Sequence, residues 1–173
     1  AEMMRVCAEA RRLGIGLHLD GARLFIASAY TGIAPAEYAA PFDTVYVSLW
    51  KYFNSLNGAI LAGPSALLDG MFNVRRMFGG AMRQSGILAA AGLYALDHNL
   101  DRLVEDHANA RLLAERLSGL RGVRIDLATV QSNIVIFRVP EPLPDAATVV
   151  RRAQEQGVLV SAFAARTVRA VTH

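Results

Sequence analysis

Short apolar segments of strand type alternate with longer segments of helical periodicity, and this alternation constrains the fold more than any other feature. Residues 14–20 form an apolar run that ends at Asp20. Residues 43–49 form a β-branched and aromatic run without glycine or proline. Helical patterns lie around them, at residues 2–12 and 22–31. Strands that alternate with helices predict an α/β fold with a mostly parallel sheet covered on both faces.

A third strand is predicted in GAILAG, residues 58–63, after a polar loop that runs from Lys51 to Asn57. The connection is too short for a crossover, so it favours an antiparallel return. Helical patterns continue at residues 64–77 and 84–118, and the second of them is expected to break near Asn99.

The character of the sequence changes after Gly119. GVRID, SNIVIFRV, VLVSA and TVRAV are strand-like, and a helical pattern occupies residues 145–156. We therefore expect residues 1–119 to belong to one domain and residues 120–173 to a smaller α/β lobe. The sequence begins inside a helical pattern and stops inside an apolar, β-rich run, so we expect a piece of a longer protein.

Composition excludes several classes of protein. Hydrophobic residues make up 53% of the chain and charged residues 19%, which excludes disorder. No apolar run reaches the roughly 18 residues that a bilayer span needs, so no membrane role is expected. The net charge is +3, and the cluster of Arg75, Arg76 and Arg83 has no interleaved aromatics, so nucleic-acid binding is not expected. A single cysteine, Cys7, fits a reducing, cytoplasmic compartment.

Two residues that can take part in catalysis stand at strand ends. Asp20 ends the first predicted strand, and Lys51 follows the second. If these strands are parallel neighbours, both side chains reach the crevice beyond the carboxyl ends of the sheet, where α/β proteins bind ligands. A lysine amine and a carboxylate are what pyridoxal phosphate (PLP) chemistry needs, for a Schiff base and for the protonated pyridine nitrogen. From pattern alone, a solvated surface lysine and an ordinary turn or helix-cap aspartate remain open alternatives.

Five segments occur in the order found in the threonine aldolase and β-eliminating lyase family of PLP enzymes, and the chain resembles that family over nearly its whole length. They are LHLDGARLFIA, the hairpin from Lys51 to GAILAG, MFGGAMRQSGILAAAGLYAL, EDHANARLLAERL and VRAVTH. The resemblance implies the aspartate-aminotransferase-type fold, with part of the large PLP-binding domain and part of the small C-terminal domain. It also implies cleavage of a β-hydroxy-α-amino acid such as threonine to glycine and an aldehyde.

The resemblance also implies roles for individual residues. Lys51 matches the Schiff-base lysine, and Asp20 matches the partner of the pyridine nitrogen. Arg23 matches an arginine near cofactor and substrate, and Arg169 matches the arginine that clamps the substrate carboxylate. A guanidinium suits the last role because it binds a carboxylate bidentately.

Arg76 and Arg83 flank Gly79-Gly80, a segment that in this family lies near the active site of a neighbouring subunit, with basic residues directed to the cofactor phosphate. The resemblance therefore implies a homodimer or homotetramer. A loop-to-helix junction with an arginine cap gives the same pattern. No metal is expected, because the spacing of His98 and His107 does not place them on one helical face.

The chain also departs from the family. Trp50 and Tyr52 flank Lys51 where the family more often has serine and glycine, which reshapes the pocket. The phosphate-binding glycine segment and the histidine that stacks on the cofactor ring belong to upstream sequence, so we expect the 173 residues alone to be inactive. The alternatives are another PLP reaction, such as β-elimination or transamination, and a non-catalytic assembly relative. Nicotinamide chemistry lacks its glycine fingerprint here.

Overall fold

The computed structural model describes residues 2–173, which divide into two compact units, one ending at Asp101 and the other running from Arg102 to His173. Both units combine helices with a three-stranded sheet, which confirms the predicted α/β class. The boundary predicted between residues 119 and 120 concerns the domains of a longer protein and stays a prediction. Among residues 2–173, no helix is long and apolar enough to cross a bilayer.

Unit 1 is built on a sheet with the strand order β1-β2-β3. Its predicted helix at residues 64–77 is two helices, because Gly70 adopts a left-handed conformation (φ +77°) between them. The elements of unit 1 are α1 (Glu2–Arg12), β1 (His18–Gly21), α2 (Leu24–Thr31), α3 (Pro35–Ala39), β2 (Thr44–Ser48), β3 (Ala59–Ala62), α4 (Ser65–Leu68), α5 (Met71–Met77) and α6 (Gly86–His98).

The pairing of the strands in unit 1 agrees with both sequence predictions. β1 and β2 are parallel neighbours, with Asp20 opposite Tyr46. β2 and β3 are antiparallel, with Tyr46 opposite Leu61. The chain between β1 and β2 holds α2 and α3, as a parallel crossover requires, whereas β3 returns directly after the loop that contains Lys51.

Asp43 ties the start of the parallel pair together. Its carboxylate accepts a hydrogen bond from the Leu17 N–H at 2.7 Å and another from the Arg11 guanidinium at 2.8 Å. The Leu17 N–H, and after it the Arg11 side chain, hold the pKa of Asp43 below its ordinary value. One side chain thus joins α1, the approach to β1 and the first residue of β2.

Aromatic packing fixes the loop that follows β2. Phe53 is fully buried and lies edge-on against Phe25 of α2, with ring centroids 5.3 Å apart. Asn99, where the predicted helical pattern breaks after α6, donates from its side-chain amide to the Phe53 carbonyl at 2.6 Å. The loop is therefore held from both sides at a point close to Lys51.

Unit 2 is an antiparallel sheet with the strand order β4-β6-β5. The fully buried Ala110, Ala114 and Ala146 belong to its two helices and to the same core cluster as Val135 and Val168 of the sheet. The predicted GVRID strand is wrong in extent, because it forms one bridge, Arg124 with Arg138. The elements are α7 (Leu103–Ser118), a 3₁₀ turn (Leu127–Thr129), β4 (Ile134–Arg138), α8 (Ala146–Glu155), β5 (Ser161–Ala164) and β6 (Thr167–Val171); another 3₁₀ turn, Leu100–Arg102, contains the last residues of unit 1 and the first of unit 2.

We predict that Gly21→Ala destabilises unit 1. A Cβ on Gly21 lies 2.6 Å from the Tyr46 carbonyl oxygen of the neighbouring strand, and backbone cannot move aside without disturbing the pairing. The expected loss is about 1–3 kcal/mol of unfolding free energy, measured as a lower urea midpoint. Gly86→Ala is the matched control, because nothing lies within 4 Å of its added Cβ. Equal midpoints for the two variants would contradict the prediction.

Candidate functional site

The carboxyl ends of β1 and β2 meet at one edge of the unit 1 sheet because the two strands run parallel. Asp20 lies at the end of β1, and Ser48 ends β2 and leads into the loop that contains Lys51. The structure therefore brings the predicted aspartate and the predicted lysine segment to the same edge. In open α/β sheets this edge is where ligands bind.

The Asp20 carboxylate is exposed and only partly used by its own turn. Its Oδ1 accepts a hydrogen bond from the Ala22 N–H at 3.0 Å, which is the ordinary role of an aspartate at a turn. Its Oδ2 has no hydrogen bond, and the carboxylate has no ion pair, within residues 2–173. One oxygen therefore holds the turn, and the other is open to a ligand as far as residues 2–173 are concerned.

Lys51 is the single lysine of the sequence, and the other 17 of the 18 basic residues are arginines. Its side chain is partly buried, and its Nζ lies 5.8 Å from the centroid of the Trp50 ring. In the described part of the chain it forms no salt bridge. A primary amine forms a Schiff base with an aldehyde and a guanidinium does not do so readily, so a single lysine among arginines is a further sequence signal for this chemistry.

Ser48 is a residue that sequence reasoning missed. It is fully buried, and its hydroxyl has no hydrogen-bond partner in the part of the chain that the structure describes. Leaving such a group unsatisfied costs about 1–3 kcal/mol. A serine inside an apolar strand gives no sequence signal of its own, because its burial follows from tertiary packing.

Arg23 precedes α2 and is partly buried. It lies close enough to Tyr52 for its positive charge to act on the Tyr52 hydroxyl. Burial raises the pKa of Tyr52 to about 12, and the Phe25 backbone N–H and the Arg23 charge oppose that rise. Arg23 thus acts on the residue that follows Lys51, and its predicted place near cofactor and substrate stays a prediction.

Arg76 and Arg83 are both exposed. The Arg76 guanidinium lies 5.7 Å from the centroid of the Phe72 ring, one turn earlier on α5, and Arg83 lies between α5 and α6. Across residues 2–173 neither forms a salt bridge. Their predicted part in phosphate binding stays a prediction.

Arg169 is at the centre of β6 in unit 2, opposite Ile136 on one side and Ser161 on the other. Val168 and Ala170 on either side of it are buried in the core, so the alternation of the strand turns Arg169 to the opposite face. Its Nε is buried and has no hydrogen-bond partner within the described chain. A guanidinium with an unused donor is suited to bind a carboxylate.

Within residues 2–173, no three His, Cys, Asp or Glu side chains come together in a group that could hold a metal ion.

A family model described as beta-eliminating lyase matches residues 1–140. The low-specificity L-threonine aldolase 1 of Arabidopsis thaliana is 36% identical over 165 residues, which are 95% of this chain and 46% of the relative. The low specificity L-threonine aldolase of Escherichia coli K12 is 38% identical over 163 residues, which are 94% and 47% of the two chains. The chain thus spans about half the length of the curated relatives it matches.

A solved structure is also similar to this chain. It is a protein of Listeria monocytogenes assigned as an L-allo-threonine aldolase, and it superposes with a TM-score of 0.80 at 25% sequence identity. The superposition covers 97% of this chain and 48% of the other.

We predict that Tyr52 ionises at about pH 12 in the folded protein. Its pKa is raised on folding, so the stability it contributes is complete below pH 10.0, the ordinary pKa, and is lost as the pH rises towards 12. The tyrosinate absorbance of wild type minus that of Tyr52→Phe gives its midpoint, and urea unfolding at alkaline pH gives the stability difference. A midpoint near 10 would show that the hydroxyl is not buried.

Proposed function

The chain belongs to the beta-eliminating lyase family, and from this we propose that it supplies about half of a PLP-dependent lyase. The proposed reaction cleaves a β-hydroxy-α-amino acid of the threonine type into glycine and an aldehyde. The observation that carries the proposal is the parallel pairing of β1 with β2, which brings Asp20 and the Lys51 loop to one sheet edge. Within residues 2–173 neither side chain has an ion-pair partner that a ligand would need to displace.

The residues at this edge fit PLP. Lys51 offers the one side-chain amine of the sequence, and Asp20 offers an open carboxylate oxygen for a protonated ring nitrogen. When bound, PLP supplies an electron sink for the negative charge that develops on the substrate Cα.

The proposed roles of the side chains follow from their chemistry. Lys51 would hold the cofactor covalently through its ε-amine, and as a free amine its Nζ would hold or transfer a proton beside the substrate. Asp20 keeps the proton on the ring nitrogen by opposing its charge. Arg23 and Arg169 bind the substrate carboxylate through their guanidinium groups. The family resemblance supports these assignments, and so does the unused Nε of Arg169.

We further propose that the whole protein is a homodimer or homotetramer in which Arg76 and Arg83 contribute to the phosphate site of a neighbouring subunit. Exposed apolar side chains near these arginines support contact with another chain, because patches of this kind mark interaction sites. The most exposed of them are Met77, Phe78 and Ile87, at 80%, 86% and 72%.

The 173 residues alone are expected to be inactive, because they supply only part of the proposed site. Cys7 is a buried free thiol, which suits a reducing compartment, so we place the protein in the cytoplasm. An amino acid is the expected substrate, and β-elimination or transamination would use the same lysine and aspartate. Product analysis with threonine separates them, since aldol cleavage alone gives glycine and acetaldehyde.

We predict that borohydride reduction of the full-length protein with PLP attaches the cofactor to Lys51. Lys51→Arg keeps the positive charge and removes the amine, so it should lose the label while keeping the fold. Peptide mapping by mass spectrometry locates the label without ambiguity within residues 1–173, because they contain one lysine. An unlabelled Lys51 peptide in the wild type would refute the cofactor assignment.

We predict that Asp20→Asn keeps the Lys51 label but lowers the turnover number by about 10²–10³-fold, the usual cost of losing one electrostatic stabiliser of the transition state. The amide cannot hold the ring nitrogen protonated. Asp97→Asn, an exposed aspartate on α6, is the matched control and should leave turnover unchanged. Wild-type turnover in Asp20→Asn would rule out the proposed role of Asp20.

A further inference from the structure

Trp50 is exposed, whereas the other apolar residues between positions 49 and 53 are buried. Leu49, Tyr52 and Phe53 are 9%, 2% and 0% exposed, whereas Trp50 is 51% exposed. An indole is among the largest apolar groups a protein can bury, and holding it in solvent forgoes that stabilisation. The position of Trp50 therefore calls for an explanation outside the core.

The exposure of Trp50 does not come from a loosely held loop. Leu49 packs towards Gly92 of α6, so closely that a Cβ on Gly92 would lie 3.1 Å from a Leu49 methyl carbon. On the other side, Phe53 is packed against the rings of Phe25 and Tyr52, at 5.3 Å and 4.4 Å between centroids. The backbone at Trp50 is thus pinned between buried neighbours, and the ring is held outside the core.

The ring of Trp50 is held beside the reactive group of the proposed site. The Lys51 Nζ lies 5.8 Å from the ring centroid, within the range of a cation–π contact. A substrate whose amino nitrogen takes the place of this amine carries its β carbon only two bonds from that nitrogen. The substituent on the β carbon therefore comes within reach of the exposed indole.

We propose that Trp50 is a specificity-determining residue whose exposed indole packs against the β substituent of the substrate and favours an aromatic ring over a methyl group. This inference rests on the proposed function. Planar rings gain from stacking or edge-to-face contact with an indole beyond the area they bury, and a methyl group does not. The favoured substrate class is then β-aryl-β-hydroxy-α-amino acids, with β-phenylserine as the simplest member.

The first test compares kcat/KM for β-phenylserine and for threonine in the full-length enzyme. Trp50→Ala should lower the ratio of the two values by about tenfold, the scale of one aromatic contact. Trp50→Phe keeps a ring and should largely preserve the ratio. Tyr94→Ala is the matched control, because Tyr94 is an exposed aromatic (65%) on α6 and should leave the ratio unchanged.

The second test does not depend on turnover. Protein labelled with 5-fluorotryptophan gives a fluorine resonance for Trp50, which is assigned by its loss in Trp50→Phe. Phenylalanine and alanine, which lack the β-hydroxyl and cannot undergo the aldol cleavage, are added to the PLP-loaded protein. Phenylalanine should shift the Trp50 resonance more than alanine does.

The outcomes separate the inference from the function on which it rests. If Lys51 carries the borohydride label, but Trp50→Ala leaves the ratio unchanged and phenylalanine does not shift the resonance, then the role of Trp50 is wrong and the proposed function stands. If Lys51 carries no label, the proposed function fails first. A lower ratio together with a shifted resonance supports the inference.

Discussion

The parallel pairing of β1 with β2 is the interaction on which the candidate site depends. Parallel neighbours end at the same edge of a sheet, so one register, with Asp20 opposite Tyr46, determines where both reactive segments lie. Asp43 holds the start of the pair through Leu17 and Arg11, and Gly21 allows the backbones to approach at its end. These contacts hold the two strands in register and so set the positions of Asp20 and of the Lys51 loop at the sheet edge.

Burial of the neighbouring residues leaves the side chains of the candidate site, Asp20 and Lys51, at least partly accessible. Tyr52 and Phe53 anchor the loop after β2 in the core, and Asn99 binds its backbone, so Lys51 is held on a rigid support. Asp20 is held in the same way, because its Oδ1 is tied to the Ala22 N–H. A site supported like this can present free polar atoms to a ligand without the entropy cost of ordering a mobile loop on binding.

Local patterns were sufficient for most of the fold of unit 1, whereas the roles assigned to Asp20 and Lys51 rested on the family resemblance. The apolar runs, the helical periodicity and the short connection into β3 predicted the three strands of unit 1, their parallel and antiparallel pairing and the break at Asn99, whereas the GVRID strand of unit 2 proved to be a single bridge. They could not predict that Ser48 is buried with an unsatisfied hydroxyl, because burial depends on tertiary packing. The split at Gly70 was also missed, since a left-handed glycine and a tolerated helical glycine look alike in sequence.

The choice between arginine and lysine along the sequence also bears on the candidate site. Arginines form surface ion pairs along helices, as Arg111 does with Glu115 and Arg151 with Glu155. Such exposed pairs contribute little to stability, so lysine could replace arginine there at small cost. Arginine is nevertheless used at 17 positions and lysine at one, the position proposed to carry the aldehyde cofactor. With all other cations as guanidinium groups, Lys51 is the single side chain of these 173 residues that an aldehyde cofactor can capture as a Schiff base.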